Sequence, residues 1–311
     1  MEAELQLDNL IIKLCKEQML TLTKVEWPAS LCSQLYDYLA ELKIGPYQVN
    51  GRGTSSDENV AIRKAFAECY ERLIVKENSI KNTNGCAVYF DLKSAKKSSK
   101  LELIERDWFL LGYHSKMKMA ELQTMVHSNL RNYLIKMSAQ VECYTNSMPD
   151  CALAMCYIKS KEGAFLGLGA DELSMEISLE KSIIEATRQF IYFLKYPEAA
   201  RETNFANFHQ ITKPSFQDHA NLMFNGEYLM KFEDWLHSEQ TQTYKLPYDD
   251  FGYSEYKSYL LPEVPLYFSK CENVSAIELY TGMPDMNSIS FRIISRDVGY
   301  SELNSSPHPL R

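Results

Sequence analysis

What this chain lacks narrows what it does. No run of 18 or more apolar residues occurs, so no segment reads as a transmembrane helix. The first residues, M-E-A-E-L-Q-L-D, are acidic and lack the basic start and apolar core of a signal peptide. That predicts a cytoplasmic protein. Surplus positive charge is missing too: a formal net charge of −8 argues against broad binding to nucleic-acid phosphates. The 8 cysteines (Cys15, Cys32, Cys69, Cys86, Cys143, Cys151, Cys156 and Cys271) form no C-x-x-C pair and read as reduced, mostly buried thiols rather than zinc ligands. The 6 histidines form no H-x-x-x-H or E-x-x-H spacing. No G-x-x-x-x-G-K-[ST] phosphate loop is present, and G-R-G-T-S-S lacks the lysine. No Gly-, Ser- or Pro-rich linker divides the chain.

What is present is 311 residues at 45% hydrophobic and 24% charged, enough for a globular protein with a sizeable core. Residues 4–26 show no clear period and predict only short elements. Over 29–43, Leu31, Leu35, Leu39 and Leu42 are spaced as on an amphipathic helix, ended by Gly45-Pro46. Tyr47–Val49 predicts a short strand leading into a loop at 51–59, where Ser55, Ser56 and Asp57 are N-cap candidates. A helix to about Val75 follows. Gly85–Phe90 predicts a strand, and a second helix runs from about Ser94 to Leu111. Val141–Tyr144, Ala152–Lys159 and Ala164–Leu168 read as strands, followed by a glycine-containing turn at 167–173 and a helix to about Leu194. Phe216–His237 reads as helix, Thr241–Tyr259 as an aromatic-rich covering loop, and Val264–Phe268, Ala276–Thr281 and Ser288–Ile294 as strands. The sum is an α+β fold in one domain over 1–311: N-terminal elements at 1–50, a motif region at 51–194, an inserted or lid-like region at 195–260, and C-terminal strands with a Pro-containing tail at 261–311.

Two of these helices carry E-x-x-E-R. Glu68, Glu71 and Arg72 lie on the first, Glu102, Glu105 and Arg106 on the second. Residues i and i+3 share a helix face, so each helix aims two carboxylates the same way, with an arginine beside them. A third helix carries Glu185, Arg188 and Gln189. The plain alternative is three helices whose acidic residues face water. If instead the five glutamates converge, they require cations. Hard carboxylate oxygens suit Mg²⁺, which completes its shell with water and phosphate oxygens. Arginine beside Mg²⁺ is the usual equipment for phosphoryl transfer. A di-iron helical bundle needs Glu-x-x-His pairs, and none occurs.

In this order the motifs resemble the YcaO-domain family. Gly51-Arg52-Gly53 with A-I-R-K-A-F-A-E-C-Y-E-R matches its first pattern, Gly85, Ala87, Asp91 and Ala95 with E-L-I-E-R-D its second, and Gly167, Gly169, Ala170 and Glu185 its third. The tail P-H-P-L resembles the family's proline-rich ending. The resemblance implies a YcaO-like fold with mixed sheets, and ATP and Mg²⁺ as cofactors. It implies Glu68, Glu71, Glu102, Glu105 and Glu185 as metal ligands, and Lys64, Arg72, Arg106, Arg188 and Gln189 as ATP-binding candidates. Lys64 stands where the family pattern has serine, and the third motif reads E-A-T-R-Q-F. No catalytic side chain is assigned. The implied chemistry is activation of a backbone amide of a precursor peptide by phosphorylation of its oxygen. The nucleophile is then a Cys, Ser or Thr side chain in azoline formation, a sulfide source in thioamide formation, or an amine in amidine formation. A separate leader-peptide-binding partner protein is expected, and a homodimer is compatible with the resemblance. A non-catalytic peptide-binding or scaffold subunit is the competing function.

Overall fold

The computed structural model describes residues 2–27, 35–80, 83–115, 119–122, 129–137, 139–148, 151–161, 163–196, 222–237 and 251–273. These fall in two compact units, one formed by Met1–Leu103 with Phe251–Glu272 and the other by Ile104–Asp250 with Asn273–Arg311.

The first unit opens with α1 (Glu2–Lys16). Leu7, Leu10, Ile11 and Leu14 bury one stripe of it, a helical period that exposed Leu5 and Ile12 hide in the sequence. An antiparallel meander follows: β1 (Leu20–Lys24), β2 (Tyr36–Ile44) and β3 (Tyr47–Ser55). The helix expected over 29–43 is therefore replaced by a strand in its described part. Leu39 is 41% exposed and Leu42 buried, so the leucine spacing does not mark a helical face. Residues 28–34 lie outside the described set. The expected loop at 51–59 is likewise mostly strand, because β3 continues to Ser55.

Helix α2 (Glu58–Glu77) starts where expected, with the Asp57 side chain accepting from Val60 N at 2.9 Å. It lays Ala61, Ala65, Phe66, Cys69, Tyr70, Leu73 and Ile74 against the meander. β4 (Cys86–Tyr89) is followed by α3 (Leu92–Ser115), which runs from the first unit into the second.

In the second unit come β5 (Ala120–Glu121), α4 (Asn129–Lys136) and the strands β6 (Gln140–Met148), β7 (Cys151–Lys159) and β8 (Ala164–Asp171). They form a four-stranded sheet in the order β5-β6-β7-β8, antiparallel throughout. Helix α5 (Met175–Lys195), capped by Ser174, packs on β7 and β8. Helix α6 (Gly226–Leu236) follows, and its Phe232 and Trp235 join Phe109, Tyr113 and Tyr157 in an aromatic core. The part of the expected helix at 216–221 lies outside the described residues.

β9 (Phe251–Tyr256) and β10 (Tyr267–Asn273) complete the first unit in a sheet of order β4-β10-β9, where β10 pairs antiparallel with β4. The covering loop expected at 241–259 is thus strand over 251–256: Tyr256 turns inward against Phe268, the alternation of a half-buried strand. The strands expected at 276–281 and 288–294 and the tail lie outside the described residues. No helix among the described residues is long and apolar enough to cross a membrane. Cys69, Cys86, Cys143, Cys151, Cys156 and Cys271 are buried, and burial pushes the Cys69 thiol up to about 12.

Candidate functional site

The two units carry the same strand-and-helix module. In the first, Gly51 and Gly53 lie on β3 under α2. A Cβ on Gly51 would stand 2.2 Å from the Ala65 carbonyl oxygen, and one on Gly53 2.0 Å from that of Ala61. In the second, Gly167 and Gly169 lie on β8 under α5, where a Cβ would meet the carbonyl oxygens of Ser182 at 2.1 Å and Ser178 at 2.0 Å. These glycines therefore permit backbone contact between strand and helix, and do not make the turns expected from sequence.

The side chains repeat with the backbones. Glu68 Oε2 accepts from the amide of Arg52, between the first two glycines, at 2.7 Å. Glu185 Oε2 accepts from the amide of Leu168, between the second two, at 2.9 Å. One helical turn earlier, Lys64 Nζ lies 3.3 Å from the Thr54 carbonyl and Lys181 Nζ 2.7 Å from the Ala170 carbonyl. One turn later, Arg72 Nη1 donates to Asn50 O at 2.8 Å and Gln189 Nε2 to Leu166 O at 2.7 Å. Each helix is pinned to its strand by three polar contacts at matching positions. Lys181 was not expected from the motifs, yet the signal was there: it precedes Glu185 by the same turn by which Lys64 precedes Glu68.

The expected metal and ATP residues divide between the units. The first holds Glu68, Glu71 and Glu102, with Lys64 and Arg72. Burial holds the Glu71 carboxyl well above the usual carboxylate range, and the charges of Glu102 and then Glu68 push it further. Arg72 and Lys270 oppose them. Lys270 is a buried lysine of β10 that sequence reasoning missed; it reaches this group only through the pairing of β10 with β4, opposite Cys86.

The second unit holds Glu105, Arg106, Glu185, Arg188 and Gln189. Burial raises the Glu105 carboxyl to about 7; Arg106 pulls it back, and the charge of Glu185 adds to the rise. Arg106 Nε lies 3.8 Å from Glu105 Oε1, and its Nη2 lies 4.0 Å from Glu185 Oε1. Phe190, within the altered third motif, is buried against Phe165.

Crowded, desolvated carboxylates are the donor set of a hard divalent cation. Among the described residues no group of three or more His, Cys, Asp or Glu stands ready to hold a metal by itself. Mg²⁺ at such a place takes one or two carboxylates and completes its shell with water and phosphate oxygens, which fits pairs such as Glu71–Glu102 and Glu105–Glu185.

Comparison with known proteins decides the family. A family model described as YcaO cyclodehydratase, ATP- and Mg²⁺-binding, matches residues 76–251, more than half of the chain. The chain belongs to the YcaO family. Three solved structures have the same α+β fold. The YcaO of Methanopyrus kandleri, solved with AMPPCP and Mg²⁺, matches with a TM-score of 0.61 at 10% identity, over 86% of this chain and 90% of that one. A chain of the E. coli microcin synthetase McbBCD complex with pro-MccB17 bound matches at 0.59 and 11% identity, over 94% and 96%. A heterocyclase solved with substrate and cofactor matches at 0.59 and 12% identity, over 96% of this chain and 56% of that one. The comparison with curated proteins found no match. As a YcaO protein, the chain takes ATP and Mg²⁺ as its cofactors.

Proposed function

We propose that this YcaO protein activates a backbone amide of a ribosomally made peptide at the expense of ATP, and that the outcome is azoline formation at a Cys, Ser or Thr. The observation that carries this reading is that each unit sets a second glutamate beside a desolvated one, Glu102 beside Glu71 and Glu185 beside Glu105, in a chain of an ATP- and Mg²⁺-binding family. When bound, ATP and Mg²⁺ supply a transferable phosphoryl group that turns a poor leaving group, the amide oxygen, into a good one.

The chain's own residues do the rest. The backbone anchors on Glu68 and Glu185 fix their carboxylates before any ligand arrives, so little ordering entropy is left to lose on binding. Glu71, Glu102, Glu105 and Glu185 offer oxygen donors to Mg²⁺. Arg106 and Arg188 supply guanidinium groups for phosphate oxygens or for the glutamates beside them. Lys64, Arg72 and Gln189 are tied to strand carbonyls, and act on the nucleotide by holding the helices that carry the glutamates. The similarity to a chain of a multi-subunit synthetase solved with its peptide supports a partner protein that delivers the substrate.

The test is intact-mass analysis of a precursor peptide encoded beside this protein, incubated with the protein, its neighbouring partner, ATP and Mg²⁺. Loss of about 18 Da per modified residue is expected, because ring closure expels the activated oxygen as phosphate. A gain of about 16 Da instead overturns azoline formation in favour of O-to-S exchange. An unchanged peptide with ATP unconsumed overturns the enzymatic reading.

A further inference from the structure

In the second unit, Cys143 of β6 and Cys156 of β7 stand directly opposite each other in the antiparallel register. Facing residues of such strands either exchange backbone hydrogen bonds or turn them outward, and the second kind brings the Cα atoms closer, to about 4.5 Å. Cys143 is of the second kind, because its carbonyl accepts from Leu122 N at 2.8 Å, on the side away from β7. Cys156 agrees with it. Its partner on β8 is Gly167, whose neighbours Leu166 and Leu168 turn a carbonyl and an amide outward to Gln189 and Glu185. Gly167 therefore bonds toward β7, and the backbone groups of Cys156 point at β8 and not at Cys143. Register partners share a sheet face, and a Cβ on Gly167 would meet the Ser182 carbonyl of α5. Both thiols thus lie on the face under α5, at 3% and 0% exposure. Disulfides span Cα separations of about 4.4–6.8 Å, so the pair meets the requirement without a change of register. The other cysteines with a register partner on the described strands face Met148 and Lys270.

We propose that Cys143 and Cys156 are an oxidation site, where hydrogen peroxide forms a disulfide that staples β6 to β7 beneath α5. One sulfur, as thiolate, attacks a peroxide oxygen; the O–O bond breaks, leaving a sulfenic acid and water. The second sulfur displaces the sulfenic oxygen as water and the S–S bond forms. Two thiol protons and two electrons pass to the peroxide, and two waters leave. Burial selects the oxidant: peroxide is small and neutral, whereas the tripeptide disulfide of oxidised glutathione is too bulky to reach either sulfur. The cross-link removes freedom from the unfolded chain and so stabilises the second unit. The site is independent of the amide chemistry proposed above.

The experiment treats the reduced full-length chain with hydrogen peroxide and, in a parallel arm, with oxidised glutathione. With peroxide the intact mass is expected to fall by about 2 Da, the two hydrogens lost. Non-reducing peptide mapping is expected to join the peptides of Cys143 and Cys156, and the melting point to rise by about 3 °C or more. Dithiothreitol reverses all three, and folded Cys156→Ala shows none of them. Cys143→Ser replaces it if the alanine variant fails to fold, and the mapping of the wild-type chain decides without either. The inference is overturned if peroxide leaves both sulfurs open to alkylation, adds oxygen to them without joining them, or joins either to another cysteine. A joined chain that melts no higher than the reduced one overturns the stapling role. Equal joining by oxidised glutathione overturns the assignment of peroxide as the oxidant.

Discussion

Asp37 is fully buried in the first unit. It accepts from Trp27 Nε1 at 2.8 Å, Thr54 Oγ1 at 3.0 Å, and Arg52 through Nε at 3.1 Å and Nη2 at 2.5 Å. The pair ties β2 to β3 at the residue whose amide holds Glu68. Asp37→Ala leaves a largely buried guanidinium without its counter-charge and is expected to cost about 3–5 kcal/mol, read from the urea unfolding midpoint. A loss below about 1 kcal/mol would show that water replaces the carboxylate at no penalty, contrary to this account. Legibility at this scale was uneven. The acidic pairs were readable because i,i+3 spacing on a helix is a local fact. Asp37 was not, because leucine spacing made its segment look helical. Lys270 was not, because its neighbours come from a distant strand.

At the scale of elements, the module rests on glycine. Helix backbone presses on strand backbone at Gly51, Gly53, Gly167 and Gly169, where no Cβ fits. Gly51→Ala and Gly167→Ala are each expected to destabilise by about 1–3 kcal/mol by forcing helix from strand. ATP affinity is expected to fall as well, since the shift carries Glu68 or Glu185 away from its amide anchor. Gly226→Ala is the control: nothing lies within 4 Å of the added methyl group, at the first position of a helix. It is expected to be neutral or to stabilise slightly. Thermal melts of the three variants check this, and equal melting points would remove the close-contact argument. The sequence reading placed these glycines in turns because a glycine's local signal is the same in both settings. What distinguishes them is the helix backbone opposite, which only the fold supplies. The strands and helices read over 85–111 and 141–194 were legible because hydrophobic runs and turn residues agreed there; β5 and α4 were not read at all, and β2 and β9 were misread because leucine spacing and aromatic content pointed elsewhere.

For the molecule as a whole, the α+β class and the family were legible in the order of three motifs, each weak alone. The duplication was only partly so. E-x-x-E-R on α2 and α3 suggested a repeat, with the strand, glycines and helix of Glu185 as a looser third occurrence; the module recurs between α2 on β3 and α5 on β8. The second copy has exchanged Glu71 for Arg188 and Arg72 for Gln189, which hides it from a motif search. The central claim is that these glutamates hold Mg²⁺ for ATP. Calorimetric titration of ATP into the purified full-length chain tests it most directly. ATP is expected to bind with Mg²⁺ present and not in EDTA, with Glu102→Gln and Glu105→Gln each weakening binding by about tenfold or more. A folded wild-type chain that binds ATP equally well in EDTA, or not at all with Mg²⁺, would contradict it.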